Sequence, residues 1–304
     1  MALSSITLKH FRCFGSLKVD LSPGPNFFYG KNGSGKTSIL EAIYLVSSGR
    51  SFKSSNIESA IMLDKENFHL KAYDNETGFI VEAYKEKNKA IQLKLNNKKI
   101  TISEIAKAFP ATIIDNKTFS FTEAAPAFRR KILDRAVFLS DESYSSVWFG
   151  YHRSLKQRNK LLKERALSSL EPWTEKLTEL GNSLTDKRKI FFDQTRDQFN
   201  SLVSSLNLEM EKVFIKDLTV EYYKGWDEEL TLANSLDAER DTDIRRKVTT
   251  RGPHKADIKI YIKGVDAKEI LSRGEQKLLA IIWLCSQHEV LRSTYNIKPT
   301  LLID

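Results

Sequence analysis

Apolar and polar residues alternate along the first thirty positions: Ile6-Thr7-Leu8-Lys9-His10-Phe11, then Leu17-Lys18-Val19-Asp20-Leu21, then Asn26-Phe27-Phe28-Tyr29, with Ser22-Pro23-Gly24-Pro25 as punctuation. A period of two sends one face of each segment to a core, so three short strands are predicted. After residues 30–35 the period changes, with Ile39, Ile43 and Val46 on one helical face and Gly49 as the stop. The local unit reads strand, glycine loop, helix. Three more strands are predicted over 68–73, 79–84 and 91–95, with Asn96-Asn97 suited to a tight hairpin, and a short buried strand follows Pro110 over 111–114.

From about residue 127 the pattern is helical, without proline until Pro172, which is placed for the first turn of a second long helix. Trp173, Leu177, Leu180, Leu184 and Phe191 form one stripe of that helix. The preceding helix, over 141–167, offers Tyr144, Val147, Trp148, Tyr151 and Leu155, so the two are expected to pack as a helical hairpin inserted in an α/β domain. The alternative is two core helices of one continuous domain. Strands return at 219–223 and 257–263, then a helix from Ser272 to about Ser293 and a last strand over 300–303. The expected division is 1–126, 127–215 and 216–304.

At 304 residues and 41% apolar content the chain can bury a core, and its composition excludes collagen-like and disordered classes. Cys13 and Cys285 form no CxxC pair, which excludes a disulfide framework or a cysteine zinc site; both are expected to be buried thiols. The longest apolar run, 278–285, is too short for a bilayer, and no leader pattern opens the sequence. A cytoplasmic protein without membrane contact is expected. Lys and Arg outnumber Asp and Glu by 48 to 39, a formal +9 that suits a polyanionic partner.

Between predicted strand and predicted helix lies Gly30-Lys31-Asn32-Gly33-Ser34-Gly35-Lys36-Thr37, which fits GxxxxGK[ST]. Glycines let successive N–H groups curl inward and the helix adds its positive end, together making a phosphate cradle. Lys36 would reach the β- and γ-phosphates of ATP and Thr37 would offer its hydroxyl to Mg²⁺. Downstream, Leu271-Ser272-Arg273-Gly274-Glu275 opens a helix with a serine cap and a glycine, with Ser272 and Gly274 as a second anion site. The last strand ends in Asp304, a candidate to hold the nucleotide's Mg²⁺ through water. Between 128 and 165 ten Lys/Arg face four Asp/Glu, and Lys156, Arg158 and Lys160 are the candidate contacts to DNA phosphates.

These motifs, with Leu8-Lys9-His10-Phe11-Arg12, Ser38-Ile39-Leu40-Glu41-Ala42, Phe128-Arg129-Arg130-Lys131-Ile132-Leu133-Asp134 and Thr250-Arg251-Gly252-Pro253-His254-Lys255-Ala256-Asp257, resemble the RecF family of SMC-like ATPases over essentially the whole chain. The resemblance implies an α/β P-loop head of ABC type, a mixed or parallel sheet with antiparallel β decoration, plus a helical second lobe. It implies that residues 271–275 act as a signature motif closing over ATP held by a partner subunit, hence an ATP-dependent homodimer. It further implies slow DNA-dependent ATP hydrolysis, binding at single-strand/duplex gaps, and work with RecO and RecR proteins in RecA loading and SOS induction. The alternative is another SMC-like ATPase, an ATP-switched DNA-binding module or a nuclease partner. Three departures from the family stand out. Glu275 replaces a glutamine, bringing a carboxylate where repulsion of a γ-phosphate is expected. Thr112 stands where the family has a lid glutamine, and 121–125 lacks the family's glycines. The resemblance also places a second acidic residue and further strands after Asp304, so a truncated head that binds ATP but hydrolyses it poorly is expected.

Overall fold

The computed structural model describes residues 3–205 and 218–304. In chain order it forms strands β1 (Ser5–Phe11) and β2 (Phe14–Asp20), helix α1 (Lys36–Ser48), strands β3 (Asn67–Tyr73), β4 (Ile80–Glu86), β5 (Gln92–Leu95) and β6 (Lys98–Ile100), helix α2 (Ile102–Ala108) and strand β7 (Ala111–Ile114). Then follow helices α3 (Pro126–Ser140), α4 (Tyr144–Glu164) and α5 (Glu171–Ser205), strand β8 (Leu218–Tyr223), and helices α6 (Leu232–Ala238) and α7 (Arg240–Arg246). Strands β9 (Asp257–Ile262) and β10 (Val265–Asp266), helices α8 (Ala267–Ile270) and α9 (Arg273–Ser293), and strand β11 (Thr300–Ile303) complete the order.

Two compact units result: Met1–Asn116 with Asn296–Asp304, and Lys117–Tyr295. In the first, β2-β1-β3-β4-β5-β6 make an antiparallel sheet. Register places Leu8 beside Leu70, Leu70 beside Ala83 and Ala83 beside Leu93, so one apolar row crosses the sheet and is buried with Ile43, Leu45 and Val46 of α1. The Asn96-Asn97 turn takes left-handed angles at both residues, φ 48° and 66°, as a two-residue hairpin requires. Strand β11 runs parallel to β7, with Ile303 opposite Ile114.

The segment expected as a third strand, 26–29, pairs with no described strand. Alternation alone cannot make a strand whose N–H and C=O groups have no ladder to join, and Phe27 and Tyr29 stand 86% and 94% exposed.

The second unit packs α4 against α5 and α5 against α9, with β10-β9-β8 as a small antiparallel sheet. Fully buried Trp283 of α9 meets the rings of Phe121, Phe192 and Phe199. Each such side chain contributes about 1.5–3 kcal/mol by leaving water. These contacts also explain why the units are cut differently from the expected 1–126, 127–215 and 216–304. Phe121 lies on Trp283, and Arg129 of α3 donates to the carbonyls of Phe121, Thr122 and Ala124, so the turn before α3 belongs with the helices. Through Trp283 most of the C-terminal third does too; the expected boundary at 215/216 lies outside the described residues. Helix α2 was not foreseen, although its capping box, Thr101 with Glu104, is written in the sequence.

Candidate nucleotide site and basic surface

The glycine loop closes onto the start of α1. Gly30, Gly33 and Gly35 hold φ of 146°, 82° and 95°, backbone that a side chain would strain. A Cβ at Gly35 would in addition lie 2.3 Å from the Phe14 ring and 2.9 Å from Cys13 Sγ, so both side chains would have to move aside. Lys36 Nζ donates to the carbonyls of Gly30 (2.8 Å) and Lys31 (3.0 Å), arching over the loop in the position from which an ammonium meets phosphate oxygens. Together Asn32, Gly33 and Lys36 border a cleft of about 710 Å³ that is also lined by Arg12, Cys13 and Leu63.

Asp304 arrives at the same place from the other end of the chain. Its N–H continues the β7–β11 ladder to the carbonyl of Ile114 (3.0 Å), and its Oδ1 accepts the Thr37 hydroxyl at 2.7 Å. A hydroxyl and a carboxylate in contact are the hard-oxygen donors that Mg²⁺ takes while keeping phosphate oxygens and water for the rest of its shell. Among the described residues no group of three or more His, Cys, Asp or Glu could hold a metal by itself. Thr112 sits inside β7 opposite Leu301.

Sequence reasoning did not single out Arg12 as a site residue. It sits in the β1–β2 turn at φ 53°, donates to both oxygens of fully buried Glu41 (2.8 and 2.6 Å) and to the Ser59 carbonyl (2.6 Å), and borders the cleft. Its signal was available only as part of the family resemblance, since one arginine in a turn is unremarkable. Cys13, expected to be buried, is exposed, and Cys285 is half-buried.

In the second unit Ser272 caps α9 in a capping box: its hydroxyl accepts from the Glu275 N–H (3.4 Å), while its N–H (2.8 Å) and O–H (2.7 Å) donate to the Glu275 carboxylate. Ser272 and Gly274 are both exposed. Glu275 therefore binds the capping serine. The next residue, Gln276, is buried and fixes the turn, accepting from Thr122 (2.5 Å) and donating to the Leu271 carbonyl (3.0 Å).

The basic helix needs a correction. Lys156 and Lys160 are exposed on α4, but Arg158 is 1% exposed, with Nη1 donating to Asp243 Oδ2 (2.6 Å) and Thr249 Oγ1 (2.8 Å) and Nε to Thr174 (3.1 Å). It cannot meet a phosphate. Its helical face is the buried one, shared with Tyr151, Ser154 and Leu162. Arg129 is likewise committed, to both oxygens of Asp257 (2.7 and 2.9 Å). Counting charges within 128–165 overstated the free excess because the partner acids, Asp243 and Asp257, lie outside that stretch. Nearby, the Tyr151 hydroxyl and the Thr249 carbonyl hold the two ring nitrogens of His254; burial keeps this imidazole neutral, its pKa lowered to about 4.

Comparison with known proteins completes the assignment. Residues 2–302 match the RecF/RecN/SMC N-terminal domain. The chain is 32% identical to the DNA replication and repair protein RecF of Pseudoalteromonas translucida, over all of this chain and 84% of that protein. To the RecF of Hahella chejuensis it is 34% identical, over all of this chain and 83% of the relative. A solved structure of a RecF with ATP, described as a recombination mediator protein in the RecFOR pathway, superposes with a TM-score of 0.85 at 27% identity, covering all of this chain and 84% of that one. With its α/β head, glycine loop and terminal carboxylate in those relations, the chain belongs to the RecF/RecN/SMC N-terminal domain family, and within it to the RecF proteins of DNA replication and repair.

Proposed function

We propose that this chain binds ATP with Mg²⁺ in the glycine loop and uses the nucleotide to bring two copies together on DNA during recombinational repair. The observation that carries the reading is the 2.7 Å bond from Thr37 to Asp304, which joins the two motifs a nucleotide-bound cation needs across 267 residues of sequence. Loop N–H groups and the N-terminus of α1 would cradle the phosphates, and Lys36 would exchange its carbonyl partners for β- and γ-oxygens. Thr37 and Asp304 would hold Mg²⁺, directly or through water; when bound, the ion neutralises phosphate charge. Ser272 and Gly274 would contact the γ-phosphate held by a second copy, which makes dimerisation ATP-dependent. Exposed Lys156 and Lys160 would contact the DNA backbone, and the RecFOR context of the ATP-bound relative supports RecO and RecR as partners in loading RecA at gaps.

The test is nucleotide binding by titration calorimetry with and without Mg²⁺. Lys36→Ala should weaken ATP binding by about 100-fold, the worth of two charge-assisted hydrogen bonds. Asp304→Asn should weaken binding only when Mg²⁺ is present. Equal ATP affinity in wild type and Lys36→Ala would refute the site.

A further inference from the structure

Arg158 is useless as a phosphate contact, yet the bonds it makes place a second run of cations against α4. Asp243 on α7 takes Arg158 on one oxygen and the N–H (2.9 Å) and hydroxyl (2.7 Å) of Thr250 on the other. The neighbouring Asn159 accepts, on its side-chain Oδ1, the N–H (2.8 Å) and hydroxyl (2.7 Å) of Thr249. Lys247 turns the chain back toward these anchors, at φ 57° with its N–H on the Asp243 carbonyl. Both ends of the short stretch from Asp243 to Thr249 are thereby pinned to α4. What the stretch carries outward is Arg245, Arg246 and Lys247, all exposed.

On α4, Lys156 and Lys163 stand three residues before and four after Asn159, so they flank it on the helix surface. The residue that anchors Thr249 therefore sits between two exposed lysines, and the exposed run 245–247 ends two residues before that anchor. Lys156, Lys163, Arg246 and Lys247 pair with no described carboxylate, and Arg245 bonds only to Thr242 (3.3 Å). Glu239, already bonded to Arg251, lies within electrostatic reach of Arg246, and the other cations gathered from these two stretches repel one another unless an anion spans them. Phe149 is exposed earlier on α4, but no aromatic side chain is interleaved between 156 and 163 or over 245–247, which suits the phosphates of a duplex rather than stacked single-strand bases.

We propose that Arg245, Arg246 and Lys247 form the second half of a duplex-DNA backbone surface whose first half is the exposed lysine face of α4, with Arg158 and Asn159 as its positioning residues. This rests on the reading of α4 as DNA-facing.

The experiment is fluorescence anisotropy of a labelled duplex oligonucleotide between about 50 and 200 mM salt, the range over which phosphate contacts dominate affinity. The variants are Arg245→Gln/Arg246→Gln/Lys247→Asn, where asparagine tolerates the left-handed turn, Lys156→Gln/Lys160→Gln, and Asn159→Ala. A cooperative thermal transition well above the assay temperature, followed by circular dichroism, serves as the control for folding, because the variants lie in the unit Lys117–Tyr295 and not in the one that holds the glycine loop. Losing three phosphate contacts should flatten the slope of log K against log salt by about 2.7. Asn159→Ala removes no charge, and it should weaken duplex binding at least tenfold by releasing the run. An unchanged slope in the triple variant, with the α4 lysine variant weakened, overturns this inference and leaves the α4 reading standing. Unchanged slopes in both overturn both. A triple variant that loses an acidic peptide while keeping the duplex also overturns it, because the surface would then face a protein.

Discussion

Replacing Arg158 by alanine removes a charge from the helix that carries the candidate DNA contacts, but the structure makes it a stability experiment. The guanidinium and its partner Asp243 are both essentially without exposure, and deletion leaves a carboxylate oxygen buried with no cation. Breaking a buried pair in this way costs about 3–5 kcal/mol. The unit Lys117–Tyr295 holds about 180 residues, which at about 2.1 cal/mol/K per residue have an unfolding entropy near 0.38 kcal/mol/K. The expected fall in Tm is therefore about 8–13 °C by scanning calorimetry. Exposed Lys156→Ala should move Tm by about 1 °C or less. Asp243→Ala should cost as much as Arg158→Ala, and the double variant clearly less than the sum, since the second truncation removes a charge already stranded. A shift below about 2 °C for Arg158→Ala, or full additivity in the double variant, would refute a buried ion pair at this position.

Three further outcomes follow from the geometry. Gly35→Ala should abolish ATP binding, measured by titration, because its Cβ would collide with Phe14 and Cys13 at a backbone angle that favours glycine. Gly181→Ala should lower Tm without touching ATP affinity, since its Cβ would come 2.5 Å from Leu232 in the unit that lacks the glycine loop. Acid should destabilise through His254: its pKa falls from an ordinary 6.5 to about 4 on burial, so the unfolded chain binds the extra proton first. Stability then decreases as pH drops through 6.5 and levels below 4, by about 3 kcal/mol in all; His254→Asn should flatten this part of a urea-unfolding profile.

The glycine loop and the strand before Asp304 were legible because each motif is local: the residues that bend the backbone and those proposed to meet phosphate are neighbours in sequence. Helices α4, α5 and α9 were legible for the same reason, each carrying its period, with Pro172 and Ser272 marking the starts of α5 and α9. Residues 26–29 were misread because a strand is a relation between segments, and their alternation says nothing of a partner. Arg158 was misread because a helix of period 3.6 places residue 158 on the Tyr151–Leu162 face while Lys156 and Lys160 point elsewhere, a distinction that a charge count erases. Only the distant Asp243 reveals that the arginine is spent inside.

How Asp304 comes to Thr37 is a matter of register more than proximity in sequence. Between the loop and the carboxylate the chain makes the whole excursion Lys117–Tyr295, yet closing a long loop costs only logarithmically more than closing a short one. The parallel pairing of β11 with β7 sets the position: Thr300 opposite Ala111 through Ile303 opposite Ile114, with Leu302 buried as the anchor. A slip of one residue would move Leu302 off its buried face and present Ile303 where Asp304 now stands, so the hydrophobic pattern of the strand enforces the chemistry at its end. The same logic runs through α4, where burying Arg158 fixes which lysines remain in solvent. In both places an element's buried face determines which candidate residue is left free to act, a choice that charge or motif spacing alone does not make.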